Sequence, residues 1–223
     1  MNSSARWLML LIPIAYVIGS VPFGLLIGKW RGVDVRTAGS RNIGATNVGQ
    51  LLGKKFFFLV FFLDLLKSFV PMLIASLIVR EIPEPDRGRQ IYLLWLLVGF
   101  AAVLGHMFSL FLRFKGGKGV ATSAGLMLGL IPYYALPGLL AIVVFILIFF
   151  PTRYVSLGSI TSACAFPVLF LLLGWVRGWD VAGAQLPLAV FAFLIAFLIV
   201  WKHRSNISRL LAGTENKIKS KTD

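Results

Sequence analysis

The stretch 56–79, FFFLVFFLDLLKSFVPMLIASLIV, is an apolar run in which Asp64 and Lys67 are the charged residues. A helix of about 20 apolar residues is long enough to cross the hydrocarbon core of a bilayer. The run is continuous and not alternating, which favours a helix over a strand of a membrane barrel. This stretch therefore predicts a transmembrane helix.

Comparable runs recur along the chain. Hydrophobic residues make up 58% and charged residues 13% of the 223 residues, whereas soluble domains are about 45–50% apolar and about one quarter charged. We predict an all-α integral membrane protein with seven transmembrane helices, in one polytopic domain over 1–223 without a linker. The predicted spans are about 7–27, 56–79, 91–112, 120–131, 136–150, 155–175 and 186–200.

The fourth and fifth predicted spans are short and are separated by a turn at 132–134. One long kinked helix is the alternative, but about 30 residues exceed the ~20 that one crossing needs, which favours two passes. Five spans result if this pair does not fully cross.

The first span lacks the basic flank and cleavage site of a signal peptide, so we expect it to remain in the mature protein. Cys164 excludes an intramolecular disulfide and is expected to be a small apolar side chain.

Positive charge is concentrated in alternate loops between these spans. Most of the 22 lysines and arginines fall in the first, third and fifth loops and in the C-terminal tail. By the positive-inside rule, the N-terminus lies outside and the C-terminus is cytoplasmic. The net charge of +14 is then an orientation signal with attraction to anionic lipid, and it does not indicate a nucleic-acid partner. The cations on the predicted cytoplasmic side are Lys29, Arg31, Arg36, Arg41, Lys54, Lys55, Arg113, Lys115, Lys118, Arg153, Lys202, Arg204, Arg209, Lys217, Lys219 and Lys221.

Three polar segments lie on this side of the membrane: 39–47 (GSRNIGATN), 115–122 (KGGKGVAT) and 203–215 (HRSNISRLLAGTE). Their backbone amides, cations and small hydroxyl or amide side chains are the groups that bind phosphate. We therefore expect an active site at the cytoplasmic face.

The segment 115–122 has features of a phosphate site, although as an isolated motif it is weak. Its glycines would let backbone N–H groups approach a ligand, Lys115 and Lys118 supply charge, and a helix is predicted to begin at Val120. The alternative is a basic interfacial loop that only orients the protein. The segment is not the P-loop of nucleotide-binding proteins, which has a different spacing.

The connection 28–55 is long, and its glycines at 32, 39, 44, 49 and 53 predict a tightly folded re-entrant path and not a helix. Its candidates for binding are small hydrogen-bonding residues and one cation, and the alternative is an ordinary structured loop. These candidates are Ser40, Arg41, Asn42, Thr46 and Asn47.

Isolated polar residues near the spans allow a structural and a functional interpretation. His203 and Asn206 would share a face of a continuing helix because they are three residues apart. Ser156 and Ser159 are expected to cap or bond back to their own helix. Asp64 and Lys67 most simply neutralise each other. For a lone histidine at the interface, as for His203 and His106, a structural role is favoured over a catalytic one.

Several enzyme classes are excluded by absent patterns. The two histidines and eight acidic residues form no cluster that suits a catalytic metal, so no metal or cofactor is predicted. The H-x-x-x-x-D pattern of the common glycerolipid acyltransferases is missing after both histidines, since Phe111 and Ser208 stand at the fifth positions.

The ordered set of motifs resembles the bacterial acyl-phosphate:glycerol-3-phosphate acyltransferases (PlsY) from the first span into the tail. The run 114–122 is highly specific for this family. The residues that carry the resemblance are Gly19, Ser20, Phe23, Gly24, Gly39, Ser40, Asn42, the run 44–47, Asp64, Lys67, Gly105, His106, the run 114–122, Ser156, Leu157, Ser159, His203, Arg204, Asn206, Ile207 and Arg209.

The resemblance implies transfer of a fatty acyl group from acyl phosphate to the sn-1 hydroxyl of glycerol 3-phosphate in the bacterial plasma membrane. Lysophosphatidic acid and phosphate are the products. A soluble enzyme that makes acyl phosphate is a conceivable partner beside the lipid bilayer. The implied catalytic residues are Lys118, Ser159, His203 and Asn206, which would hold glycerol 3-phosphate, and the implied substrate-binding residues are Ser40, Arg41, Asn42, Thr46, Asn47, Lys115, Gly116, Gly117 and Arg204.

Two positions depart from the family pattern. Arg41 replaces a glycine, and Gln50 replaces an arginine that the family uses for the glycerol 3-phosphate headgroup. We hypothesise that Arg41 supplies the missing cation from the same loop. We expect direct attack without an acyl-enzyme, because acyl phosphate is already activated. Either His203 or a substrate phosphate would accept the hydroxyl proton.

The competing interpretation is a transporter or flippase for an anionic lipid or phosphate ester. Transporters place polar groups near the membrane midplane and contain repeated broken helices. In this chain the polar segments fall on one face, and no internal repeat is evident. The acyltransferase interpretation is therefore favoured.

Overall fold

The computed structural model describes residues 3–218, and Lys219 and Lys221 of the predicted cationic tail lie outside this range. Every regular element within it is helical, which confirms the all-α prediction. The α-helices are α1 (Ser3–Ser20), α2 (Phe23–Trp30), α3 (Ala45–Leu52), α4 (Lys54–Arg80), α5 (Arg89–Met107), α6 (Val120–Gly129), α7 (Ala135–Thr152), α8 (Val155–Val176), α9 (Leu186–Lys202) and α10 (Arg204–Leu211), with short 3₁₀ turns at Glu84–Asp86 and Leu110–Leu112.

Five segments in this range are long and apolar enough to cross a membrane. A sixth is added if α9 and α10, which are bent by 59° at their junction, count as one span. The described chain is therefore that of a multi-pass membrane protein. The five segments are Ser3–Trp30, Lys54–Arg80, Arg89–Leu112, Ala135–Thr152 and Val155–Val176.

The fourth predicted span, 120–131, is a shorter helix than expected. It begins at Val120 as predicted, but α6 has 10 residues and ends at Gly129. A helix of that length rises about 15 Å, half of the ~30 Å hydrocarbon core. By length alone, α6 does not span a bilayer.

The first predicted span, 7–27, is interrupted in the structure. α1 ends at Ser20 and α2 begins at Phe23. Pro22 explains the break, because it has no N–H to donate to the preceding turn and it disfavours the helical conformation at Val21. The segment stays apolar across the break and remains one candidate span.

The prediction that the connection 28–55 contains no helix was wrong, because α3 occupies Ala45–Leu52. Two of the glycines that suggested an irregular path are the caps of this helix. Gly44 is its N-cap, and Gly53 is its C-cap with a φ of 97°, a conformation that glycine adopts without strain. The glycines thus mark where the helix begins and ends.

The first of two compact units runs to Ile131. Its α5 is the most buried of the candidate spans, and α1 packs against α5 while α4 packs against α5 and α6. At Gly19, Gly105 and Gly125, a Cβ atom would overlap with the main chain of the neighbouring helix. Small residues at these crossings allow the helix backbones to approach closely, as in other membrane helix pairs.

The second compact unit begins at Pro132. In it, α8 packs against α7 and α9. The buried Tyr134 ring lies edge-on to Phe166 and Phe170 at 4.9 and 5.4 Å, and its hydroxyl donates to the carbonyl oxygen of Leu188. This aromatic cluster fixes the chain at the start of α7. One domain over 1–223 stays a prediction.

Candidate active site

The polar segment 39–47 is shaped by the side chain of Asn47, which is 1% exposed. Its Oδ1 accepts a hydrogen bond from the main-chain N–H of Ser40 at 2.8 Å. Its Nδ2 donates to the carbonyl oxygens of Val35 and Asn42 at 2.8 Å and of Ala38 at 3.2 Å. Both ends of the amide are thus engaged with the main chain. This changes the role we assign to Asn47, from substrate ligand to support of the loop.

The other candidates in this loop differ in their exposure. Asn42 Oδ1 accepts a hydrogen bond from the N–H of Gly44 at 2.9 Å and closes a local turn. Thr46 is half-buried in the first turn of α3, whereas Ser40 and Arg41 are exposed. Arg41 has a left-handed backbone with a φ of 57°. The structure therefore leaves Ser40 and Arg41 as the most accessible side chains of this group.

The glycine turn of the second segment is paired with the end of α5. The N–H of Gly116 donates to the carbonyl oxygen of Met107 at 3.2 Å, and the N–H of Gly117 donates to that of His106 at 3.0 Å. We predicted that these amides face a ligand, and this was wrong because both are hydrogen-bonded to main-chain carbonyls. The glycines are needed for space instead, since a Cβ at either position would overlap with His106.

Two lysines flank this turn and differ in exposure. Lys115 is exposed, and Lys118 is half-buried immediately before α6. Gly119 is the N-cap of α6, with a left-handed φ of 81° that suits glycine. The first N–H groups of a helix and its dipole favour an anion at this end. Lys118 therefore stands beside a helix N-terminus, and the two together favour phosphate.

The charged residues within the spans form a buried group. Lys67 Nζ lies 2.8 Å from Asp64 Oδ1, which confirms that the two neutralise each other. The same ammonium group lies 2.7 Å from His106 Nδ1 and donates to the carbonyl oxygen of Val21 at 3.1 Å. His106 is 5% exposed and belongs to this group. The histidine therefore has a structural environment, as predicted.

In the second unit, polar side chains converge on Glu215. Its Oε1 accepts hydrogen bonds from Ser156 Oγ at 2.7 Å and from Asn206 Nδ2 at 2.6 Å. Its Oε2 lies 2.7 Å from Arg209 Nε. Burial alone would raise the pKa of Glu215, but the hydrogen bonds from Asn206, Ser156 and Arg209 hold that pKa below its usual range. Ser156 therefore contacts a carboxylate and does not cap its helix.

His203 lies at the bend between α9 and α10 and is 2% exposed. The prediction of one continuing helix through His203 and Asn206 was wrong, because α9 ends at Lys202 and α10 begins at Arg204. His203 Nδ1 lies 2.8 Å from the carbonyl oxygen of Ile199. A carbonyl only accepts, so Nδ1 carries a proton and Nε2 is the basic nitrogen of the neutral ring.

The remaining candidates of this unit lie at two helix starts. Ser159 is 2% exposed, and its hydroxyl donates to the carbonyl oxygen of Val155 at 2.8 Å, which confirms the predicted bond within its own helix. Arg204 is exposed at the start of α10, with its guanidinium 5.1 Å from the ring centroid of Trp201. Ser159 retains lone pairs for a ligand, and Arg204 remains an accessible charge.

Comparisons with known proteins identify the family of the chain. The model of a family described as glycerol-3-phosphate acyltransferase matches residues 9–213. The glycerol-3-phosphate acyltransferase of Geotalea daltonii is 46% identical, over 92% of this chain and 94% of that one. That of Aquifex aeolicus is 44% identical, over 93% and 97%. The chain belongs to the glycerol-3-phosphate acyltransferase family.

Solved structures of this family have the same fold. A crystal structure of PlsY, an integral membrane glycerol 3-phosphate acyltransferase, in its glycerol 3-phosphate form is 41% identical with a TM-score of 0.79, over 95% of this chain and 96% of that one. The lysophosphatidic acid form is 40% identical with a TM-score of 0.77, over 95% of each chain.

For this member of the acyltransferase family, the role of Glu215 was not predicted from the sequence. Glu215 is the one acidic residue between Lys202 and Lys217, in a segment otherwise rich in cations, and that isolation was the available signal. Among residues 3–218, no three His, Cys, Asp or Glu side chains are grouped so that they could hold a metal ion.

Proposed function

We propose that this protein transfers a fatty acyl group from acyl phosphate to the sn-1 hydroxyl of glycerol 3-phosphate. The observation that carries the proposal is Lys118 at the N-terminus of α6, in a chain that matches the acyltransferase family over residues 9–213. A cation beside a helix N-terminus suits the phosphate groups that both substrates carry. The glycerol 3-phosphate and lysophosphatidic acid forms of the related PlsY support the acceptor and the product.

Direct transfer fits the chemistry of these substrates. The sn-1 oxygen forms a bond to the acyl carbon, the bond from that carbon to the phosphate oxygen breaks, and phosphate leaves with the electron pair. Acyl phosphate is an activated donor, so positioning and charge stabilisation supply much of the rate enhancement. No acyl-enzyme is needed. Lys118 is assigned to the phosphate group of glycerol 3-phosphate, so that it positions the attacking sn-1 hydroxyl.

His203 is the side chain that we assign to the proton of the attacking hydroxyl. Its Nδ1 is held by the carbonyl oxygen of Ile199, which leaves Nε2 as the basic nitrogen. A substrate phosphate is the alternative acceptor. Ser159, Asn206 and Arg204 are assigned to glycerol 3-phosphate and its charge.

The remaining assignments concern the donor. Ser40 and Lys115 are exposed groups that suit its phosphate, whereas the exposed Arg41 beside Ser40 is assigned to glycerol 3-phosphate. Asn42 and Asn47 shape the loop that presents Ser40 and Arg41, as Gly116 and Gly117 shape the turn before Lys118. The half-buried Thr46 is assigned to the donor phosphate. The acyl chain, which is apolar, would lie against lipid-facing helix surfaces.

We also propose seven crossings with the N-terminus outside and the active site at the cytoplasmic face of the bacterial plasma membrane. α6 is too short to cross as a helix alone. In the connection after it, Leu130, Tyr133 and Tyr134 are at most 1% exposed, whereas Ile131 is 52% exposed. Non-helical backbone is tolerated at membrane depth where protein buries it, and we assign the rest of the crossing to this partly buried connection. The cytoplasmic face would meet a soluble enzyme that supplies acyl phosphate.

The donor is tested by comparing palmitoyl phosphate with palmitoyl coenzyme A under identical conditions. Purified protein in detergent is given each donor with radiolabelled glycerol 3-phosphate, and lysophosphatidic acid is measured. We expect lysophosphatidic acid to form with palmitoyl phosphate as the donor and not with palmitoyl coenzyme A. Product from the thioester at a comparable rate would contradict the proposed donor while leaving the acyltransferase activity in place.

A further inference from the structure

A buried polar group within the membrane spans has no part in the chemistry assigned so far. Asp64, Lys67 and His106 are 3%, 4% and 5% exposed. Charged groups at this depth are costly unless they are paired. Pairing of Asp64 with Lys67 already removes the net charge, so neutralisation does not explain why a histidine joins them.

The ammonium group of Lys67 fixes the orientation of the histidine ring. Its three N–H groups match three acceptors: the carbonyl oxygen of Val21 at 3.1 Å, Asp64 Oδ1 at 2.8 Å and His106 Nδ1 at 2.7 Å. The same ring nitrogen lies 3.6 Å from Asp64 Oδ1. Both members of the ion pair therefore contact one edge of the imidazole ring and hold it in one orientation.

The other side of this ring contacts the glycine turn that precedes Lys118. A Cβ at Gly117 would overlap with Nε2 of His106. The carbonyl oxygens of His106 and Met107 accept hydrogen bonds from the N–H groups of Gly117 and Gly116, respectively. The histidine therefore supports the turn through both its ring and its carbonyl group. A rotation of the ring would displace the turn, and Lys118 follows it directly.

We propose that Asp64, Lys67 and His106 are positioning residues that fix the turn at Gly116 and Gly117 and so set the place of Lys118. The role rests on the proposed function, in which this lysine meets a phosphate group. Fixed donors contribute more to catalysis than mobile ones, because no reorganisation is needed during the reaction. A displacement of about 1 Å can cost on the order of 100-fold in rate.

The test is a double-mutant cycle between the ion pair and the histidine. Asp64→Asn with Lys67→Met removes both charges together, so that no lone charge stays buried. We expect this variant and His106→Ala each to lower kcat/KM for palmitoyl phosphate by at least about tenfold. Their combination should be no worse than the more impaired of the two, because both act through the same turn.

A matched control removes a buried polar contact elsewhere on α4. Ser76 donates to the carbonyl oxygen of Gly129 at 2.6 Å and accepts from Trp95 Nε1 at 3.0 Å. Ser76→Ala should lower the midpoint of thermal unfolding but keep kcat/KM. An ion-pair variant that keeps wild-type kcat/KM, or effects that multiply with those of His106→Ala, would overturn the proposal.

Hydrogen exchange gives a readout that does not depend on the reaction. Exchange of the amides of Gly116 and Gly117, followed in a peptide covering 107–119, should be faster in the ion-pair variant and unchanged in Ser76→Ala. Unchanged exchange in both variants would contradict the positioning role. If wild-type protein makes no lysophosphatidic acid from palmitoyl phosphate, the proposed function fails, while the exchange result still decides whether the group positions the turn.

Discussion

Arg41 has a left-handed backbone that is unusual for a residue with a side chain, with a φ of 57°. This conformation costs about 1 kcal/mol for a non-glycine residue and nothing for glycine. Within residues 3–218, Arg41 has no ion-pair partner. A strained and exposed cation just before α3, the helix that carries Gln50, is consistent with the hypothesis that Arg41 binds the glycerol 3-phosphate headgroup.

We therefore predict that Arg41→Gly stabilises the protein and weakens acceptor binding. The midpoint of thermal unfolding should rise, while KM for glycerol 3-phosphate should rise about tenfold through loss of a charge-assisted contact. Arg36→Ala is the matched control, because the Arg36 guanidinium is already paired with Asp34 at 2.6 Å. Equal increases in KM for both substrates would disprove the assignment of Arg41.

Glu215 is the second residue whose role follows from its contacts. Its carboxylate, 7% exposed, holds Asn206 and Arg209 of α10 and Ser156 of α8. Glu215→Ala removes the acceptor for these donors and should destabilise the protein by on the order of 2 kcal/mol. The acyltransferase activity should fall together with the stability, because Asn206 is one of the assigned site residues. Unchanged thermal unfolding and activity would contradict this role.

The pH dependence of stability should report on the same carboxylate. The pKa of Glu215 is lowered in the folded protein, so its contribution is fully present above the ordinary glutamate pKa of about 4.3. It is lost as the pH falls through the lowered folded pKa. Thermal unfolding of the wild type between pH 7 and pH 3 should therefore show a loss below about pH 4.3 that is smaller in Glu215→Gln.

Residue types were easier to predict than their partners. The cations, amides and glycines of the polar segments are visible in the sequence, and so was the pairing of Asp64 with Lys67. That Asn47 and the amides of Gly116 and Gly117 bond to the main chain was not visible, because a polar group near a turn serves the backbone or a ligand equally well.

Helix contacts in the first unit depend on glycine at the crossing of α1 and α5. A Cβ at Gly105 would overlap with the main-chain oxygen of Tyr16. Gly105→Ala should therefore push the helices apart and cost about 1–3 kcal/mol, the range for overpacking. Gly88→Ala is the control, because no atom lies within 4 Å of a Cβ there and its φ of −68° suits any residue.

Thermal unfolding in one detergent measures both glycine variants. The expected result is a clear decrease for Gly105→Ala and no decrease for Gly88→Ala. Equal midpoints for the two would show that the close crossing of α1 and α5 does not limit stability.

The helices were predictable to the extent that hydropathy determines them. Long apolar runs located α4, α5, α7 and α8, because each buries its backbone hydrogen bonds within one helix. The break at Pro22 and the helix α3 were not predicted. In α3 the glycines at 44 and 53 act as caps, and their position at the helix ends is evident only once the chain has folded.

For the whole molecule, the charge asymmetry predicts the orientation in the membrane. In a Cys164→Ser background, a cysteine is introduced either at Asp86, in a predicted outer loop, or at Asn216, in the tail. A membrane-impermeant maleimide should label Asp86→Cys in cells with an opened outer membrane, and Asn216→Cys only after the inner membrane is lysed. The opposite pattern would reverse the orientation and place the polar segments outside.

Transfer of an acyl group from acyl phosphate to glycerol 3-phosphate is the function that we propose for this chain. Its most direct test is phosphate release from palmitoyl phosphate by purified protein, with and without glycerol 3-phosphate. Lys118→Ala is compared with Lys54→Ala, which removes an exposed cation to which no role is assigned.

We predict phosphate release that depends on glycerol 3-phosphate, is matched by lysophosphatidic acid, is lost in Lys118→Ala and is kept in Lys54→Ala. Absence of turnover in protein that still binds glycerol 3-phosphate would contradict the account, and it would favour transport of an anionic lipid or phosphate ester.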